Sequence, residues 1–115
     1  MWMVNSMENT ILENSFDLIG LNGIDPFNVS KVHINDNELS IQYLVSCDDD
    51  LNMFRLNTVE AELRLYNGNA DVVQRMILKN IQYQDSYLSL DSTSNAPLLM
   101  HIIYSVESTK FAKGT

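Results

Sequence analysis

From Val29 onward, apolar residues recur at every second position. Val32 and Ile34 alternate with Lys31 and His33, the polar tetrad Asn35-Asp36-Asn37-Glu38 interrupts, and Leu39, Ile41, Tyr43 and Val45 resume the period. Two alternating runs across a short polar tetrad predict a β-hairpin. Further on, Val59, Ala61, Leu63 and Leu65 alternate with Glu60, Glu62, Arg64 and Tyr66. This predicts a half-buried strand with the first set facing the core. Asn67-Gly68-Asn69 then reads as a turn, and Val73 to Ile81 as the return strand on its β-branched content. A helix competes there, because Val73, Ile77 and Ile81 also keep a spacing of four. Tyr87 to Leu90 reads as a short strand and Asp91 to Pro97 as a polar loop. The last strand, Leu98 to Val106, is apolar on both faces at Leu99, Met100, Ile102, Ile103 and Tyr104. Such a strand lies in the middle of a covered sheet or hands one face to a partner. These five residues are therefore the candidate interface.

Before Val29 the period is different. Ser6 is placed to cap a helix in which Ile11, Leu12, Phe16 and Ile19 share a face, with Gly20 as its left-handed stop. Asn9, Thr10, Asn14 and Ser15 oppose that helix, since each competes for backbone bonds or lacks helix propensity. The alternative is an arm that orders on a partner. Leu21 to Asn28 reads as turns, broken by Asn22-Gly23 and Asp25-Pro26. The pattern predicts an all-β or β-dominated α+β chain: an antiparallel β-sandwich or small barrel of six or seven short strands with a short N-terminal helix or arm. Residues 1–20 form the helix or arm, 21–109 the β-domain and 110–115 a tail.

The 115 residues suit one domain. Fifteen acidic against seven basic residues give a net charge of -8, which argues against binding nucleic acid through phosphate neutralisation. It suits solubility, a basic partner, or a wall that repels DNA. Cys47 is the single cysteine, so an intrachain disulfide and a cysteine-rich zinc site are excluded, and it reads as an inert core residue. No Lys or Arg precedes Lys31, so the basic start of a signal peptide is missing, and no apolar run approaches a membrane span. The expected location is cytoplasmic, or a virion if the chain is viral, with no membrane contact.

Catalytic patterns do not emerge. Gly20, Gly23, Gly68 and Gly114 form no phosphate-binding loop, and there is no nucleophile elbow. His33 and His101 lie in separate strands, and two ligands without a third make a poor zinc site. Asp48-Asp49-Asp50 lacks the glycine and glutamate an EF-hand loop requires, since Met53 and Val59 stand at those positions. It reads as a solvated turn. Glu60 and Glu62 point to one side of their strand, but Arg64 follows on the same face, as in an exposed polar ladder. The expectation is no enzyme, no cofactor and no metal site.

The segment from Met76 to Phe111 resembles a known family. It runs from Ile77-Leu78-Lys79-Asn80-Ile81 to Tyr87-Leu88-Ser89-Leu90-Asp91, then a Ser/Asn-rich loop from Ser92 to Asn95, then a closing strand through Tyr104. In this order it resembles the C-terminal end of tail-tube subunits of contractile phages and related injection machines. The resemblance implies a β-sandwich or small barrel that stacks as hexameric rings around a channel. The resulting expectation is a non-catalytic structural or assembly subunit acting through protein–protein contacts, as a homo-oligomer or with another protein, without sequence-specific nucleic-acid binding. An acidic partner-binding module or inhibitor that engages a basic protein surface is the alternative.

Overall fold

A computed structural model describes residues 9–12, 16–45, 52–67, 69, 71–89, 98–108 and 112–113. Its elements are β1 (Asn9–Leu12), β2 (Phe16–Ile19), β3 (Val29–Asn35), β4 (Glu38–Val45), β5 (Thr58–Tyr66), β6 (Val72–Ser89), β7 (Leu98–Ser108) and β8 (Ala112–Lys113). Short 3₁₀ turns at Pro26–Asn28 and Met53–Arg55 complete it. The chain is all-β, as the alternation predicts. Its strands form one antiparallel sheet in the order β1-β3-β4-β7-β6-β5-β2, with β8 also paired to β6.

The predicted hairpin is present as β3 and β4, with Asn35 opposite Glu38 and Asp36 in the left-handed region at φ 29°. A bulge at Ser30 separates the pairs Val29–Tyr43 and Lys31–Gln42, and the Ser30 hydroxyl donates to the Gln42 carbonyl at 3.2 Å. That extra residue lets Val29 turn inward while Lys31 turns outward.

The N-terminal helix is not what the chain forms. Residues 9–12 pair with β3, and residues 16–19 pair with β5. In β2, Phe16 and Leu18 are buried while Asp17 and Ile19 are exposed, a period of two. Ile11, Leu12, Phe16 and Ile19 mimic a helical stripe because two four-residue strands abut. Their placement shapes the whole sheet. β1 and β2 are its two end strands, yet Leu12 and Phe16 are four residues apart and cannot be separated by more than about 14 Å. The sheet must therefore curl round on itself, with its apolar face inside.

That inner face is the core. Val32, Leu39, Leu63, Leu78, Ile81, Ile102 and Tyr104 are completely enclosed, drawn from five different strands. Phe54 inserts from the 3₁₀ turn, and its carbonyl accepts a 2.6 Å hydrogen bond from the buried Tyr104 hydroxyl. Burial holds the Tyr104 hydroxyl well above the usual tyrosine range, so it stays a donor.

β6 is one strand of 18 residues, where the sequence suggests two. Its register against β7 shifts twice, between Lys79 and Gln82 and between Tyr83 and Asp85, and Asn80 takes a positive φ of 51°. The first irregularity resets the alternation, so Met76 and Leu78 before it and Ile81 and Tyr83 after it all reach the core side. The spacing of four at Val73, Ile77 and Ile81 is therefore not a shared face: Ile77 is half-buried opposite Glu62, while Ile81 is enclosed in the core.

β5 keeps Ala61, Leu63 and Leu65 inside as predicted, but Val59 is 83% exposed and Thr58 is buried instead. The turn after β2 crosses this end of β5, and the Asn22 amide donates to the Thr58 hydroxyl at 2.9 Å. It covers the Thr58 side and leaves Val59 outside. Gly23, at φ 76°, allows that crossing, because a Cβ there would lie 1.9 Å from the Met53 carbonyl oxygen.

Candidate functional site

The five candidate interface residues divide between two faces. β7 lies between β4 and β6, in the middle of the sheet. Met100, Ile102 and Tyr104 point into the core, whereas Leu99 and Ile103 are half-buried on the outer face. The double-sided apolar pattern thus marks a central strand, and only Leu99 and Ile103 remain available to a partner.

Outside β3, β4 and β7 lies an open groove of about 440 Å³. The registers explain it. Lys31 stands opposite Gln42, Gln42 opposite His101, and His101 opposite Tyr87, giving one row across four strands. The next row runs His33, Ser40 and Ile103. Ser40 is the small residue of the middle strand, flanked by larger side chains on both neighbours, so the surface dips there. The flanking strands are two spacings apart, about 10 Å. Tyr87 and His101 stack with parallel rings, centroids 4.6 Å apart and planes 4° apart, to form one wall. The two histidines, which the sequence leaves unconnected, line the same groove. Among the described residues, however, no three His, Cys, Asp or Glu side chains cluster as a metal site.

On the other half of the sheet the outer face of β2, β5 and β6 carries a closed set of charges. Glu62 accepts from Arg64 Nε at 2.6 Å and from Arg75 Nε at 2.8 Å and Nη2 at 3.2 Å. Hydrogen bonds from Arg75 and then Arg64 lower its carboxyl from the usual 4.5 to about 2. Arg64 and Arg75 are direct cross-strand partners, a repulsive pair that the shared glutamate bridges. Tyr66 donates to the Asp17 carboxylate, and that bond raises the tyrosine above its usual range. Glu60 is exposed and lies opposite Lys79. The acid pair Glu60 and Glu62 is thus divided: one is an ion-paired ladder member, the other is solvated.

The third feature is a pair of overhanging strand ends. β5 meets β6 only as far as Ile81, so beyond the Tyr83 amide, which donates to Asn57 Oδ1 at 3.3 Å, residues 84–89 pair with β7 alone among the described residues. At the other end β8 continues β7 along β6 at Gln74 and Arg75, beyond the reach of β4. The first overhang exposes Tyr87 and Leu88 among the polar Gln84, Asp85 and Ser86, and Leu98 at the adjoining end of β7 is exposed as well. Sequence reasoning misses both the groove and the overhangs. Strand alternation identifies the outward positions, but strand order decides which of them meet. Cys47, Asp48-Asp49-Asp50, the loop from Ser92 to Asn95 and residues 1–8 lie outside the described residues. Among the described residues no helix is long and apolar enough to cross a membrane.

No protein-family model and no curated protein matches the chain. Its fold does match solved structures. A chain of the extracellular contractile injection system PVC sheath–tube complex, in the extended state, superposes with a TM-score of 0.53 at 15% identity, over 91% of this chain and 79% of that one. A chain of the anti-feeding prophage cap, which terminates the tube, superposes with a TM-score of 0.54 at 14% identity, over 99% of this chain and 93% of that one. The all-β fold read from the alternation is therefore the fold of chains in contractile injection assemblies, the same class of machine that the C-terminal segment resembles.

Proposed function

We propose that the chain is a non-catalytic structural subunit of a contractile-injection or phage-tail type particle, assembling with copies of itself or with related subunits. The observation that carries this reading is the long hairpin of β6 with β7 and β8, which overhangs the sheet at both ends and on opposite strands. An exposed strand edge is a template for pairing with another chain. Two different edges on one molecule favour a head-to-tail contact, which closes into a ring or extends into a filament. The likeness in fold to tube and cap assemblies supports the same reading. A net charge of -8 suits a wall that charged cargo slides past.

Light scattering on the purified chain tests this. Assembly larger than a monomer is expected at high micromolar concentration. Leu88→Lys should return the chain to monomers while keeping the strand signal in circular dichroism, since a lysine on an exposed edge opposes strand addition. A parent chain that scatters as a 13.1 kDa monomer with no co-purifying partner overturns the reading.

A further inference from the structure

We propose that the groove over β3, β4 and β7 is a binding site for a carboxylate group, held by Lys31, Gln42 and His101. The site shares its Tyr87 wall with the first strand overhang, but its three binding side chains lie on β3, β4 and β7, and it does not depend on assembly.

The argument begins with charge placement. In a chain with more than twice as many acids as bases, the groove brings together Lys31, His33 and His101. Lys31 is directed there by the Ser30 bulge, and among the described residues its side chain makes no hydrogen bond or ion pair. Arg64 and Arg75, by contrast, are both engaged by Glu62. The groove's own acid, Glu38, sits four positions from Gln42 along β4, about 13 Å away, beyond ion-pairing reach of the Lys31 row.

The donor set then selects the ligand. Lys31 supplies one fixed positive charge, the Gln42 amide supplies neutral N–H donors, and the His101 ring supplies a donor edge. Phosphate sites use several cations, a guanidinium fork or a nest of backbone amides. The groove has one permanent cation, Lys31, beside its two histidines, and no arginine lines it. One fixed cation with neutral donors in a row matches a planar monoanion. Tyr87 fixes the His101 ring by stacking, so the donor direction is set before the ligand arrives.

Calorimetric titration of the full chain tests the site. The probe is a four-residue peptide with blocked ends and one glutamate; its glutamine counterpart and inorganic phosphate are the comparisons. Saturable millimolar binding of the glutamate peptide is expected, at least fivefold tighter than the glutamine peptide or phosphate. Lys31→Gln should weaken it fivefold or more, Gln42→Ala twofold or more, and Lys79→Gln, on the far half of the sheet, not at all. Equal binding of both peptides, tighter binding of phosphate, or equal losses in Lys31→Gln and Lys79→Gln would each overturn the proposal. Light scattering on the same samples reports assembly separately, so loss of one property is not mistaken for loss of the other.

Discussion

The two outer faces of this curled sheet use charge in opposite ways. Outside β2, β5 and β6, the charged side chains answer one another: Glu62 holds Arg64 and Arg75, and Asp17 holds Tyr66. Outside β3, β4 and β7, Lys31 and His101 turn toward an open groove with Glu38 far along the strand. Both faces are made of the same element, an antiparallel strand pair with alternate residues outside. The difference lies in which outward residues the register sets side by side. An acid beside one arginine on its own strand and diagonal to another closes one surface; a serine between a lysine strand and a histidine strand leaves a dip in the other.

Behind both faces the core is shared, and the largest expected effects test that. Leu63 of β5 and Ile102 of β7 are both fully enclosed, one under each face. Leu63→Ala and Ile102→Ala should each cost roughly 2–5 kcal/mol in chemical denaturation. In each variant a single transition should be seen by both tyrosine fluorescence and circular dichroism. Two separated transitions would mean that the faces belong to independent units and that the sheet does not close around one core.

The next effect in size concerns the contact that ties the 3₁₀ turn to β7. Tyr104→Phe removes the donor to the Phe54 carbonyl and leaves that oxygen buried and unpaired. The expected loss is about 1–3 kcal/mol. A change smaller than 0.5 kcal/mol, read by the same denaturation, would show that water replaces the hydroxyl.

Some of this was readable from the residues and some was not. β3 beyond its Ser30 bulge, β4 and the body of β5 have unbroken alternation, so their faces follow from parity alone. β6 hides behind its irregularities at Asn80 and near Gln84, which turn a period of two into a mixture of two and three. Residues 9–19 hide for another reason. Two four-residue strands carry too few alternations to outweigh the chance helical stripe of Ile11, Leu12, Phe16 and Ile19. Val59 sits at the correct parity yet is exposed, because the covering turn comes from a segment 36 residues away. The candidate interface shows the same limit. Leu98 to Val106 is visibly a central strand, but which of its apolar residues is spare depends on sheet curvature. The groove is the least legible feature, since it needs β3, β4 and β7 to be neighbours, and β7 follows β4 only after two intervening strands.

The paired face should respond to acid. The Glu62 carboxyl titrates at about 2 when folded and near 4.5 when free. A depressed folded value means the stabilisation is fully present above about pH 4.5 and is lost as pH falls toward about 2. Glu62 is partly exposed and screened, so its share is about 1 kcal/mol or less. Glu62→Gln should flatten that part of the stability–pH curve and leave Arg64 facing Arg75 without a bridge. An unchanged slope between those pH values would show that the ladder contributes nothing to folding.

The smallest effect is the one that separates the two faces most sharply. Arg75→Gln breaks a bidentate contact on the paired face and should lower stability only slightly, since the pair is exposed to solvent. Lys31→Gln on the groove face breaks no internal pair, so its cost should stay within about 0.5 kcal/mol. It also takes one positive charge from a chain that is already strongly acidic, which adds slightly to self-repulsion and makes a small loss more natural than a gain. Salt distinguishes the two causes. Repulsion spread over the whole chain is screened within a Debye length of about 8 Å at physiological ionic strength, so the Lys31→Gln loss should vanish in high salt. The Arg75→Gln loss should shrink but persist, because its hydrogen bonds to Glu62 do not depend on long-range field. If Lys31→Gln instead destabilises by more than 1 kcal/mol at all salt concentrations, the lysine has a structural partner. The groove would then be as closed as the opposite face.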